Sequence, residues 1–264
     1  MATKYWTGGA GDNNFATAGN WSTGTAPTTG DVCVLATDPA SGVDNIGFGD
    51  KTSLGLISLI VGPNWSGDIG TTTYPLILEL DVLEYAGQGS AVHLKCGSTT
   101  TSKVAITDTG SGELPLRLGG TNTITELTMT DARGTVLIDG VGGRVITTVN
   151  VIGARRTAVL DLTHQASSAI SGTTAKVNGG VLKIDNNFTN VEVSGTGNVE
   201  VTGSAQIGTL DIYSGVAQWK TSGTESSINA LNVYSGQFEA DQCTATVSTI
   251  AATQLYETAM INEQ

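Results

Sequence analysis

The sequence predicts an all-β protein, a parallel β-solenoid of short stacked coils, and three observations lead there. The first is composition. The 264 residues include 35 Gly and 40 Thr, with only 5% aromatic and 14% charged side chains. β-Branched Thr, Val and Ile suit a pleated backbone, and glycine at this density marks many turns. The second is a repeated string. Ile207, Leu210, Ile212, Tyr213, Ser214 and Gly215 recur as Ile228, Leu231, Val233, Tyr234, Ser235 and Gly236, an offset of 21 residues. The third is period-two alternation, as in Leu210-x-Ile212 and Leu231-x-Val233, which places those residues on one face of a strand. Gly or Asn-Gly interrupts each run within about ten residues, so the i, i+3, i+4, i+7 spacing of a helix is not sustained.

Residues 1–65 read as an N-terminal cap followed by the first strands. This stretch holds Trp6, Trp21 and Trp65 with Tyr5, Phe15 and Phe48, between segments rich in Gly, Asn and Asp. A solenoid exposes open strand edges at its ends, and these aromatics are expected to cover the first coil. The competing expectation is a platform whose exposed Trp faces stack on sugar rings.

Residues 66–250 read as the coils. Alternating strands at 76–87, 90–96, 102–108 and 114–120 are spaced by roughly a dozen residues, which predicts longer coils with more strands each, or a small sheet preceding the rod. From there, coil starts fall at Ile124, Ile146, Ile170, Phe188, Ile207, Ile228 and Val247. Unequal steps near 20 residues are expected of coils whose turns vary while strand positions stay in line. A second short strand follows each Gly turn, at 181–184, 198–201, 217–219 and 237–240. A single coil cannot bury its own apolar residues; stacked neighbours at about 4.8 Å can. The competing fold is a β-sandwich or jelly roll, which shares the short strands but has no reason to repeat one string in register. Residues 251–264 form the end, where Leu255, Ala259 and Met260 share one helical face and predict a short helical or irregular cap.

The net charge of −12 argues against nucleic acid as partner. The distribution is uneven, however, because Arg117, Arg133, Arg144, Arg155 and Arg156 are all the arginines of the chain and fall in one stretch. Guanidinium groups make bidentate contacts to carboxylates, so these five are candidate contacts to an acidic partner, unless they are solvated turn residues. Cys33, Cys96 and Cys243 are too few and too scattered for a disulfide framework or metal cluster and are expected to be free. Residues 1–12 lack the apolar run of a secretory signal, and nowhere do 18 apolar residues run together, so no membrane partner is expected.

Candidate chemistry is sparse. His93 and His164 lie far apart without metal-ligand spacing, and His93 alternates with Val92 and Leu94, so it should face outward. Paired carboxylates on adjacent coils, about 5–9.5 Å apart, would suit polysaccharide cleavage. The candidates are Glu79, Asp81 and Glu84, or Glu192, Glu200 and Asp211, with Trp219 and Glu239 able to line a glycan groove. Solvent-face alternation explains the same acids equally well. Asp12-Asn13-Asn14 lacks the spaced ligands of a calcium loop and reads as turn chemistry. No catalytic residue, cofactor or metal site is predicted.

One resemblance adds to this reading. Tyr5-Trp6-x-Gly8-Gly9, Asn20-Trp21-Ser22, Pro27 and Gly30-Asp31 precede the strand Val32-Cys33-Val34-Leu35. This pattern resembles the opening of tailed-phage virion structural proteins of the β-helix type and of some bacterial surface β-helix proteins. It covers about 35 residues closely and the rest in repeat style only. The resemblance implies a right-handed β-helix and a non-enzymatic virion protein that decorates a capsid. Its partners would be other virion proteins, chiefly the major capsid protein, and it would form a homo-oligomer, a trimer by preference. A glycan-binding or depolymerising tail appendage and a bacterial adhesin are the alternatives.

Overall fold

In the computed structural model the chain winds into a β-solenoid whose walls, among the described residues, are two parallel sheets of 13 strands each. The structure describes residues 1–37, 45–46, 49–88, 91–109, 116–140, 143–153, 157–163, 170–220, 226–240, 249–250, 253–255 and 260–262. One sheet stacks Thr3–Tyr5, Val32–Thr37, Ile57–Asn64, Leu80–Tyr85, Thr101–Ile106, Ile124–Thr130, Arg144–Ile152, Ile170–Asn178, Phe188–Val193, Gln206–Ile212, Ser227–Val233 and Thr249–Ile250, in that order. The other stacks the strands between them, from Asn45–Ile46 through Val92–Cys96, Leu116–Gly119, Thr135–Ile138, Val159–Asp161, Val181–Ile184, Asn198–Val201 and Val216–Trp219 to Gln237–Glu239 and Met260–Asn262. Each strand therefore pairs with the corresponding strand one coil away, and at the N-terminus those partners, Thr3–Tyr5 and Val32–Thr37, are also consecutive strands of the chain.

The apolar interior follows from strand periodicity. Leu83, Val104, Leu127, Val149, Ala175, Val191, Leu210 and Leu231 form one in-register column inside the first sheet. All of them are buried, as are Val92, Leu116, Val136, Leu160, Leu182, Val199, Ala217 and Phe238 opposite. Each large aliphatic side chain buried this way contributes roughly 1.5–3 kcal/mol. Ile207–Ile228, Leu210–Leu231 and Ile212–Val233 are direct partners, so the repeated string lies layer over layer.

The coils differ from the sequence expectation in three places. Residues 76–120 are not a separate small sheet or a run of wider coils; their described strands alternate between the two sheets, as the partners Leu83–Val104 and Leu94–Leu118 show. The irregular spacing comes from loops, such as the one that splits Asp68–Ile69 from Leu76–Leu78, both of which pair with Val92–Cys96. Second, the coil placed at Ile170 is out of register by two: Ile170 pairs with Arg144, and Gly172 pairs with Ile146 and Phe188. Steps between partners then range from 26 residues (146 to 172) to 16 (172 to 188). Downstream, Ile250 rather than Val247 pairs with Ile228, and Val247 lies outside the described residues. Third, the helix expected near the C-terminus is replaced where it is described. Thr253–Leu255 pairs with Ser227–Val233 and Met260–Asn262 pairs with Gln237–Glu239, so the coil pairing available at the edge overrides a weak helical pattern.

Candidate functional site

The N-terminal aromatics form a closed plug. Trp6, Phe15, Trp21 and Trp65 are all buried, while Tyr5 is 50% exposed. Trp21 meets Phe15 edge-on at 4.9 Å and Trp6 edge-on at 5.3 Å between ring centroids. The Trp21 Nε1–H donates to the Phe15 carbonyl at 2.8 Å, and the Trp65 Nε1–H to that of Gly67 at 2.7 Å. The polar members of the same segment hold the plug. Asn20 is fully buried; its carboxamide donates to Asp12 and to the Asn14 carbonyl and accepts from the Ala10 N–H. The Ser22 hydroxyl oxygen accepts the Tyr5 N–H at 3.1 Å. Lys4, almost buried, donates to Thr25 and the Ala26 carbonyl and lies 3.5 Å from Asp31. These Trp faces are spent on packing, which corrects the sugar-platform expectation for them. Asp12 is saturated by Thr17, Asn14 and Asn20, and these donors hold its carboxyl below the ordinary range, so its turn role is accounted for within the chain.

The three arginines among the described residues do not form one belt. Arg133 makes a bidentate pair with Asp108, Nη2–Oδ2 at 2.7 Å and Nε–Oδ1 at 3.1 Å. Arg144 is fully buried, where it donates to the Leu118 and Gly119 carbonyls and to Asn122 Oδ1 at 3.1, 2.8 and 2.8 Å. That burial removes it from any contact surface: its strand starts two residues before Ile146, which turns the side chain into the corner between the sheets. Arg117 is half-buried on the outer face between Leu116 and Leu118. Arg155 and Arg156 lie outside the described residues.

Arg117 belongs to a feature that no single segment of sequence announces. On the outer face of the second sheet, His93, Arg117, Leu137, Asp161, Lys183, Glu200, Gln218 and Glu239 are successive register partners. Its charges are mixed: the basic Arg117 stands toward one end and the acidic Glu239 at the other, with the buried Leu137 and then Asp161, Lys183 and Glu200 between them. Lys183 and Lys220 approach Glu200 at 3.9 and 3.6 Å, and the Gln218 amide donates to Glu239 at 2.8 Å. At the His93 end a pocket of about 190 Å³ is lined by Thr72, His93, Lys95, Arg117 and Asp139 over Gly119 and Gly120. Burial and the neighbouring Arg117 both push the His93 pKa down. Near the Glu239 end a groove of about 450 Å³ runs past Thr196, Asn198, Gln218 and Glu239 at the turn between the sheets. On the turns that join the same coils, Tyr213 and Tyr234 stack at 4.7 Å with planes 13° apart, and Tyr213 is 46% exposed.

No family model matches the chain, nor does any curated protein or solved structure. The site is therefore read from geometry alone.

The carboxylates considered for catalysis each have partners in the fold. Glu79 accepts the Ser98 and Thr99 N–H groups, Asp81 accepts Ser102, Glu84 faces Lys103, Glu192 faces Lys176 and Asp211 accepts Asn232. Trp219 is buried against Phe238, which corrects its expected place on a groove; Glu239 does line one. His93 faces outward as alternation requires, and His164 lies outside the described residues. Cys33 and Cys96 are free and buried, and Cys243 lies outside the described residues. Among the described residues no group of three metal-ligating side chains comes together, and no helix is long and apolar enough to cross a membrane. The charged row was hidden because its members are 17–24 residues apart in sequence; only the coil-to-coil register aligns them.

Proposed function

We propose that this protein is a non-enzymatic virion structural protein that decorates or extends a phage particle. It would contact other virion proteins, chiefly the major capsid protein, as a homo-oligomer with a trimer preferred. The observation that carries this reading is the in-register row from His93 to Glu239 on the outside of a continuous solenoid. A linear row of mixed charges, from Arg117 toward one end to Glu239 at the other, suits an extended partner surface of matching pattern, since charge complementarity sets register. A wall held by strand pairing on both edges presents that row with little loss of freedom on binding. The N-terminal pattern, which resembles the opening of β-helix virion proteins and of some bacterial surface β-helix proteins, supports the same reading. The test is immunogold labelling and mass spectrometry of purified phage particles with antibody raised to the chain. Regular labelling of heads at fixed stoichiometry is expected; absence of the chain from washed particles rejects the proposal.

A second reading, a glycan-binding appendage, draws on the Tyr213–Tyr234 stack, in which Tyr213 is 46% exposed, and on the groove past Asn198, Gln218 and Glu239. An exposed tyrosine ring and a polar groove on the same coils suit pyranose rings. Glycan-array binding that is lost in Tyr213→Ala with an unchanged melting temperature supports it; no binding on the array removes it.

A further inference from the structure

We infer that Tyr213 and Tyr234 form a covalent cross-linking site, joined as dityrosine when the protein meets a one-electron oxidant such as a peroxidase or a photo-oxidised metal complex. Two phenols couple when their rings are already in contact and an oxidant reaches one of them. Both conditions are built into this corner of the solenoid.

The coils set the contact. Tyr213 and Tyr234 directly follow the register partners Ile212 and Val233, so they occupy the same position one coil apart. Their ring centroids are 4.7 Å apart and the ring planes differ by 13°. That separation matches the spacing of paired strands, about 4.8 Å. The backbone beneath the rings is pinned. The Tyr213 N–H donates to the Val193 carbonyl at 2.9 Å, and the Tyr234 N–H to the Ile212 carbonyl at 2.8 Å. The Ser235 hydroxyl donates to the Tyr213 carbonyl at 2.7 Å. Rings held face to face in this way need no diffusion to meet, which is the source of large rate gains in intramolecular reactions.

Access is also present, since Tyr213 is 46% exposed. Exposure alone would favour other tyrosines: Tyr74 is 65% exposed and Tyr5 50%. What singles out the pair is the stack. The inference is independent of the virion and glycan readings, because it concerns a bond within one chain and not a partner.

The chemistry closes without further reactants. Two equivalents of oxidant each take one electron, one from each phenol, and each hydroxyl gives its proton to water. The unpaired electron of each phenoxyl spreads to the ring carbons ortho to oxygen. One such carbon of Tyr213 bonds to one of Tyr234, and the hydrogen on each moves to its own phenolic oxygen as the ring becomes aromatic again. The chain loses two hydrogen atoms in all. The new bond links positions 21 residues apart and restrains the unfolded chain as a disulfide does.

The experiment is brief photo-oxidation of the dilute full chain with tris(bipyridine)ruthenium(II) and persulfate. Denaturing electrophoresis, dityrosine fluorescence and peptide mapping by mass spectrometry follow. The monomer band is expected to carry dityrosine, in two peptides joined through Tyr213 and Tyr234 and lighter by two hydrogen atoms. Tyr213→Phe and Tyr234→Phe should each lower the monomer's dityrosine fluorescence by about tenfold or more, since the proximity is lost. Tyr74→Phe and Tyr5→Phe should leave it unchanged. Oxidation in urea should remove the preference for this pair, because the coils no longer hold the rings together. Should a variant unfold, the peptide map of the parent chain decides by itself. Dityrosine found only between chains, or within the monomer through other tyrosines, overturns the inference. So does oxidised monomer without dityrosine, or a 213–234 link that forms equally well in urea.

Discussion

Phe188 fills the interior space that Gly172 leaves one coil away. A Cβ on Gly172 would lie 2.3 Å from Phe188 Cε1 and 2.7 Å from the Ile146 carbonyl. In the same column the other coils place Ile124, Ile146, Ile207 and Ile228. One coil thus gives up its branched side chain so that its neighbour can insert a ring.

Gly172→Val is therefore expected to destabilise by about 1–3 kcal/mol through overpacking, and Phe188→Ala by about 3–5 kcal/mol through the cavity it opens. The double variant should cost less than the sum by about 1 kcal/mol or more, because each change relieves the other. Urea unfolding of the four proteins measures this. Additive losses would show that the two side chains do not share the space.

Arg144→Met should lower stability by about 1–3 kcal/mol, the cost of leaving buried acceptors unsatisfied. The change leaves Asn122 Oδ1 and two backbone carbonyls without their donor. Asn122 in turn donates to the Thr99 carbonyl and to Thr101 Oγ1, which itself donates to the Leu80 carbonyl. Hydrogen exchange should rise at coils 80, 101 and 122 together in the variant. Exchange confined to residue 144 and its neighbours would contradict a connected spine.

The cap should be acid-sensitive. Burial pushes the Asp31 carboxyl upward, but the Ala2 N–H, the Thr28 N–H and hydroxyl, and the Lys4 ammonium outweigh it and hold the pKa below the ordinary value. A depressed folded-state pKa contributes stability that is present above the unfolded value of about 3.9 and is lost as pH falls through the folded value. Trp fluorescence should report opening of the Trp6–Trp21 plug below about pH 4. Asp31→Asn should flatten that transition while lowering stability at neutral pH, because the charge that faces Lys4 is gone.

Cys33 should resist alkylation. Burial, aided by the nearby Asp31 charge, pushes its pKa up to about 12, and burial raises that of Cys96 as well. Thiolate is the reactive form, so a Cys243→Ser variant should react with iodoacetamide at pH 8 only after denaturant is added. Rapid modification of the native variant would place a thiol on the surface.

Much of the architecture was legible in particular residues. The Ile207–Gly215 and Ile228–Gly236 strings announced their own register, because equal spacing of a period-two pattern leaves one way to stack the two copies. The cap was legible as aromatic density, and its motif residues Asn20, Trp21, Ser22 and Asp31 prove to be the ones that carry its hydrogen bonds. The 170 coil was misplaced because Gly172 carries no apolar signal; what occupies its column is a ring from another coil. The candidate site was less legible still. Arg117, Arg133 and Arg144 look alike in sequence yet sit on the wall, in an ion pair and in the core.

The sequence by itself determined the class of fold, the repeat and the plugged end, since these rest on local periodicity, turn chemistry and the need of each coil to be covered by the next. Only the tertiary structure decided which arginine faces a pocket, which carboxylates are neighbours and which column takes a glycine. Those outcomes depend on loop lengths that set the register between coils, and side chains about twenty residues apart meet or miss according to that register alone.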